Sequence, residues 1–202
     1  MTRIAVLSAG LGNPSSTRLL ADRLAAATRE ALDEVEVDLI ELRPLAHSLA
    51  DHLLTGFASG ELAEAIETVR RADGLIAVTP VFSASYSGLF KTFVDVLEPD
   101  LLDGKPVLVA ATAGTARHSL VLEHALRPLF SYLHAVVVPT GVFAASEDFG
   151  GPGLAERIDR AAGELAALVG KVDATARRRR TVDDEFADPT PFEELVRRAE
   201  GR

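Results

Sequence analysis

The residues with most chemical potential in this sequence lie in three loops rich in small and hydroxylated side chains. The first loop, Ser8-Ala-Gly-Leu-Gly-Asn-Pro-Ser-Ser-Thr-Arg18, places Ser15, Ser16 and Thr17 just ahead of a helical pattern, with Arg18 beside them. Free amides and the dipole at a helix N-terminus favour an anion, and a terminal phosphate monoester, with several acceptor oxygens at one end, satisfies such a nest best. Capping explains the same residue types, because Ser and Thr are preferred at helix starts in any case. Gly10-x-Gly12 opens like a dinucleotide fingerprint, but the third glycine position is Ser15 and no Gly-Lys-Ser/Thr follows, so both nucleotide motifs fail.

The second loop, Thr79-Pro-Val-Phe-Ser-Ala-Ser-Tyr86, leads into a helical stretch near Ser87-Gly88. A stiff, flat turn with exposed amides suits the edge of a planar heterocycle, while an ordinary strand-to-helix loop punctuated by Pro80 is the plain alternative. The third, Thr112-Ala-Gly-Thr-Ala-Arg-His118, is again made of small residues. Gly114 lets a ligand approach the main chain, and amides here could stabilise negative charge developing on a ring.

What is missing narrows the chemistry. The 202 residues contain no cysteine, which excludes thiolate metal sites, disulfides and cysteine nucleophiles. There is no Gly-x-Ser-x-Gly elbow, and none of His47, His52, His118, His124 and His134 forms a metal-type pair, so each reads as a surface or packing residue and no metal site or catalytic side chain is expected. Catalysis without an evident acid, base, nucleophile or metal points to a cofactor that carries the reaction. A net charge of −9 disfavours nucleic acid as a partner. The absence of a long apolar run and of a signal peptide predicts a protein of the cytoplasm that does not enter a membrane.

The elements that must hold these loops follow from hydrophobic periodicity. Short apolar runs at 3–8, 74–79, 105–112 and 135–139 read as strands buried on both faces, and 35–40 alternates as a more exposed strand near a sheet edge. Helical spacing marks a segment starting near Ser15, and the ranges 61–71, 88–97, 118–133 and 154–168, whereas 43–60 reads as irregular. Five strands alternating with five helices predict a doubly wound α/β domain over 1–170, with helices on both faces of a parallel sheet and the ligand at the strands' carboxyl ends. From Lys171 onward eight basic and eight acidic residues balance, so the negative charge belongs to 1–170, and 171–202 reads as a charged tail or arm.

These loops, in this order, resemble the NADPH-dependent FMN reductases of the flavodoxin-like fold, most of all the reductase component of two-component flavin-dependent monooxygenase systems such as alkanesulfonate desulfonation. The resemblance is carried by Ser8 to Arg18, by Asp73-Gly-Leu-Ile through Thr79-Pro-Val-Phe and Tyr86-Ser-Gly-Leu-Phe-Lys-Thr, by Gly114-Thr-Ala-Arg-His118 through Ala125-Leu-Arg-Pro128, and by Gly141-Val-Phe-Ala144. It implies a five-stranded sheet of order 2-1-3-4-5 and an FMN phosphate held by Ser8, Ser15, Ser16, Thr17 and Arg18. Pro80, Val81, Phe82 and Ser83 would meet the isoalloxazine edge, and Ala113, Gly114, Thr115, Ala116 and Arg117 its pyrimidine side. Many relatives carry Gly-Ser-x-Arg after the first strand where this chain has Ser8-Ala-Gly-Leu11, which leaves Arg18 as the candidate cation for the phosphate. His124 falls where sulfonate-system reductases carry an inserted residue that bulges a helix at a subunit interface.

The activity so implied is hydride transfer from NADPH or NADH to FMN, with reduced flavin passed to a partner monooxygenase by a homodimer or homotetramer. Three other readings keep the fold: a quinone or azo-dye reductase that retains its FMN, a non-enzymatic flavodoxin-type electron carrier, and a doubly wound module that binds some other phosphorylated ligand. Against the carrier stands the scarcity of large aromatics, no Trp and two Tyr, to sandwich a flavin ring.

Overall fold

In the computed structural model, which describes residues 1–169 and 171, a parallel sheet of order β2-β1-β3-β5-β6 runs through the protein. Its strands are β1 (Thr2–Ser8), β2 (Val35–Glu41), β3 (Gly74–Phe82), β5 (Pro106–Ala113) and β6 (Val136–Val137). A short β4 (Ser85–Tyr86) pairs antiparallel with β3, and β7 (Val142–Ala145) pairs with β5. The flavodoxin-like order expected from the sequence is thus present, the fifth position being shared by β6 and β7. Helices α1 (Ser16–Ala31) and α6 (Pro152–Leu168) pack on one face, and α2 (Ala46–Thr55), α3 (Glu61–Arg71), α4 (Gly88–Asp95) and α5 (Arg127–Tyr132) on the other.

Alternation through the sheet explains why its central strands read as unbroken apolar runs. Ala5, Leu7, Leu75, Ala77, Val107 and Val109 enter the core under α2 to α5, while Ile4, Val6, Ile76, Val78, Leu108 and Ala110 enter the core under α1 and α6. Each of these positions is buried, so the side chains directed to either face are apolar. The register then brings the strand ends into line: Ser8 pairs with Val78, and Pro80 pairs with Thr112. The first, second and third loops therefore leave one edge of the sheet side by side.

Three segments differ from the sequence-based expectation. Residues 46–55, read as irregular, form α2; only Leu49 of this helix is buried, so no apolar stripe announces it, and Gly56 ends it at φ 77° with its amide on the His52 carbonyl. The strand expected over 135–139 breaks after Val137 and resumes at Val142. Pro139 offers no amide to a ladder, and the corner is fixed instead by side chains. The Glu164 carboxylate accepts from Thr140 N at 2.6 Å and from Thr140 Oγ1 at 2.7 Å, while Arg127 donates to the carbonyls of Val138 and Pro139.

The helix expected over 118–133 comes in three pieces: a 3₁₀ turn (Ala116–His118), a π-helical turn (Leu122–Leu126) and α5. The Arg127 amide reaches back five residues to the Leu122 carbonyl, and the bulge so formed contains His124, where the resemblance placed it. Core contacts then pass from Leu122 and Leu126 to Phe130, leaving Leu129 and Leu133 half-buried. No helix among the described residues is long and apolar enough to cross a membrane. The tail expected over 171–202 lies, Lys171 apart, outside the described residues.

Candidate functional site

At the carboxyl edge of the sheet the three loops enclose a cleft of ≈ 240 Å³, lined by Leu11, Gly12, Pro14, Ser15, Ser16, Thr17, Pro80, Val81, Phe82, Thr112, Ala113, Gly114 and Ser146. None of these side chains carries a charge. At one end lie the three hydroxylated residues that open α1. Ser15 is its N-cap, accepting from Arg18 N at 3.2 Å, and the amides that follow have no carbonyl one turn earlier to bond. Capping and anion binding, the two readings of this loop, are therefore compatible: Ser15 Oγ caps while the next amides remain for a ligand.

A pair of buried hydroxyls joins the first loop to the third. Thr17 Oγ1 lies 2.8 Å from Thr112 Oγ1, and both residues line the cleft. Each hydroxyl has one hydrogen, so one is used between them and the second is left to donate to a ligand oxygen. Gly10 shapes the same corner, because a Cβ there would fall 2.1 Å from Ser15 Oγ.

The opposite end is apolar. After Pro80 the chain does not make the flat loop expected. Val81–Phe82 pairs with Ser85–Tyr86 around a two-residue turn, Ser83 and Ala84, with φ of 49° and 68°. The buried Thr79 hydroxyl anchors this hairpin, donating to the Pro80 carbonyl and accepting from Ser87 N, each at 3.0 Å. Phe82 is left 47% exposed at the cleft, where its ring offers a flat apolar face to a planar ligand. Across from it stand Ala113 and Gly114, with nothing within 4 Å of where a Gly114 Cβ would point.

Of the residues singled out in the sequence, Ser15, Ser16, Thr17, Pro80, Val81, Phe82, Ala113 and Gly114 line the cleft. Ser8, Arg18, Ser83, Thr115, Ala116 and Arg117 do not. Ser8 is buried at the end of β1, its carbonyl accepting from Leu42 N, and Ser83 sits on the hairpin tip. Arg18 is engaged elsewhere. Its guanidinium pairs with Asp22 at 2.9 Å and Glu41 at 2.8 Å, and these partners, Asp22 first, hold its pKa above the ordinary arginine value. Asp22 lies one helical turn onward and Glu41 ends β2, so the pairing follows from tertiary structure rather than from the loop. Ser146 enters the cleft from the turn after β7, and nothing in its sequence context marks it.

The profile of the family described as NADPH-dependent FMN reductase matches residues 2–150. The chain belongs to this family. Among curated relatives, this FMN reductase family member is 39% identical to the FMN reductase (NADPH) of Pseudomonas aeruginosa, covering 73% of this chain and 78% of that one. It is 40% identical to the NADH-dependent FMN reductase SfnE of Pseudomonas putida, covering 83% and 92%. Among solved structures it superposes on an oxidoreductase from Corynebacterium diphtheriae with a TM-score of 0.82 at 51% identity, over 86% of this chain and 99% of the other. An NADH:FMN oxidoreductase in its apo form follows at 0.76 and 29%, over 87% and 92%. The protein is thus an oxidoreductase acting with FMN and NADPH or NADH.

The cleft fits FMN on its own chemistry. Hydroxyls and helix-start amides without a carboxylate suit a phosphate dianion, and an exposed phenyl ring beside a bare glycine backbone suits a flat heterocycle.

Proposed function

We propose that the cleft seats FMN with its phosphate on Ser15, Ser16 and Thr17 and its ring between Pro80–Phe82 and Ala113–Gly114, and that the enzyme supplies reduced FMN in the cytoplasm to a flavin-dependent monooxygenase. The observation that carries this assignment is the division of one uncharged cleft into a donor-rich end at the start of α1 and an apolar end at Phe82. Bound FMN supplies the hydride-accepting chemistry for the nicotinamide cosubstrate. The protein's own groups position and bind: first-turn amides and the free hydrogen of the Thr17–Thr112 pair hold the anion, and the Phe82 side chain keeps water from one edge of the ring. No cleft side chain is required to move a proton, in keeping with a lining that has none to titrate.

Release of the flavin is supported by the lack of a charged side chain among the described residues at the phosphate end, Arg18 being paired with Asp22 and Glu41. We propose further that the enzyme self-associates around the π-helical turn, where Leu120 is 63% and Tyr132 81% exposed. Gel filtration of the full chain tests this, a monomer being the contrary result.

The experiment for the function is to mix the purified chain with FMN and either nicotinamide and follow nicotinamide absorbance, alongside a fluorescence titration with FMN. Rapid consumption with micromolar flavin affinity is expected. Failure of FMN to bind or to be reduced overturns the assignment. A protein that purifies yellow, keeps its flavin through gel filtration and turns over quinones instead makes it a flavoprotein quinone reductase.

A further inference from the structure

On a chain with a surplus of acidic residues and a net charge of −9, a basic side chain that lacks a partner stands out, because carboxylates are plentiful. Among the described residues, four lysine or arginine side chains form neither an ion pair nor a hydrogen bond: Arg43, Arg117, Arg160 and Lys171. Arg160 lies within α6 and Lys171 beyond its end, and no α6 residue lines the cleft. Arg43 follows the edge strand β2, and no residue of 35–60 lines the cleft either.

Arg117 is differently placed. It is three residues past Gly114, the last cleft residue of the third loop, and it is exposed. Its 3₁₀ turn packs on β7, the strand that delivers Ser146 to the cleft. It therefore stands on the rim at the third loop, whereas the hydroxyl nest that suits the FMN phosphate is at the first. An exposed guanidinium with its donors unspent suits a phosphate, which it can meet with two parallel hydrogen bonds.

Resting on the proposed seating of FMN, we infer that Arg117 binds a phosphate of the nicotinamide cosubstrate and so helps set its affinity, instead of touching the flavin. The cosubstrate carries a pyrophosphate, and NADPH an additional 2′-phosphate; both present the same chemistry to Arg117.

Steady-state kinetics and calorimetry on the full chain separate the possibilities, with 2′,5′-ADP and 5′-ADP as probes that cannot react. Arg117→Ala is expected to raise KM for the nicotinamide about tenfold, with a smaller change in kcat, and to weaken the matching probe to a similar extent, the size typical of one charge-assisted contact. Arg117→Lys should recover part of the loss. If only NADPH and 2′,5′-ADP are affected, the contact is the 2′-phosphate; if NADH and 5′-ADP are affected as well, it is the pyrophosphate. The inference is overturned if Arg117→Ala leaves both KM values and both probe affinities unchanged, if it weakens FMN instead, or if Arg43→Ala or Arg160→Ala has the same effect. FMN titration of the unaltered chain reports separately on the flavin site, so a failure there is not mistaken for a failure of Arg117.

Discussion

Thr17 and Thr112 are 95 residues apart in sequence, yet their hydroxyl oxygens lie 2.8 Å from each other beneath the cleft. One residue opens α1 and the other ends β5, so this contact ties the anion-binding end of the site to the loop on its far side. Replacing either by valine leaves the other hydroxyl buried without its partner, at a cost of about 1–3 kcal/mol of stability. Replacing both should return most of that stability, because no orphan remains. FMN affinity should behave otherwise and stay weakened in the double variant, since the hydrogen available to the ligand is gone. Denaturant midpoints and FMN titrations on the three variants check this; additive stability losses would contradict it.

The pairing of Arg18 with Asp22 and Glu41 leads to a negative expectation. Arg18→Ala should change FMN affinity by less than about threefold, because exposed ion pairs are worth little and this side chain does not line the cleft. A loss of tenfold or more, falling with added salt, would show that the guanidinium leaves its carboxylates when the phosphate arrives.

Two glycines at the site make opposite demands. A Cβ at Gly10 would collide with Ser15 Oγ at 2.1 Å, so Gly10→Ala must displace the cap of α1, lowering both Tm and FMN affinity. At Gly114 nothing stands within 4 Å of the added methyl. Gly114→Ala should therefore leave Tm unchanged while weakening FMN, if the ring approaches the main chain there. Unchanged affinity in Gly114→Ala would move the ring away from the third loop.

Much of this arrangement is legible in the sequence, for identifiable reasons. Strands such as Ile4 to Leu7 and Leu75 to Val78 are apolar at every position because both faces are covered, a pattern that a half-exposed strand, with polar residues at alternate positions, does not show. The loops that follow these strands are located along with them. What the sequence hides depends on partners distant along the chain or on weak local patterns. Glu41 claims Arg18 from another strand, and Ser146 reaches the cleft from beyond the strand break between Val137 and Val142. Helix α2 presents one buried residue, too few to make a stripe. Ser83 and Ala84 adopt positive φ without glycine, which conceals the hairpin. The π-helical turn is foreshadowed only by the family resemblance, since the leucine spacing of 118–133 suits a regular helix.

Lys105 gives the fold a pH dependence of its own. Its ammonium donates to the carbonyls of Val69 and Arg70 at the end of α3, and burial pushes its pKa down to about 8 despite the nearby Asp73. Because the folded pKa lies below the unfolded value of 10.5, the unfolded chain holds more protons between these limits, and stability rises with pH from about 8 to 10.5. The cost is present in full below that window and absent above it. The unfolding free energy from urea titrations should rise across this range in the unaltered chain relative to Lys105→Met, by on the order of 2 kcal/mol after discounting for partial exposure. Parallel curves would show that the ammonium's hydrogen bonds offset its desolvation.

Glu164 tests whether the broken fifth strand serves the site. Its carboxylate fastens both Thr140 N and Thr140 Oγ1, and only beyond this corner does β7 rejoin β5 and carry the chain to Ser146. Glu164→Ala leaves a half-buried amide and hydroxyl without an acceptor, costing about 1–3 kcal/mol by denaturation. Glu164→Gln keeps one oxygen and should lose about half as much. If the corner positions Ser146, FMN affinity will fall with stability across the two variants while Arg160→Ala, one turn away on the same helix, changes neither. Destabilisation without any loss of FMN affinity would mean that the corner maintains the sheet alone and that Ser146 does not depend on it.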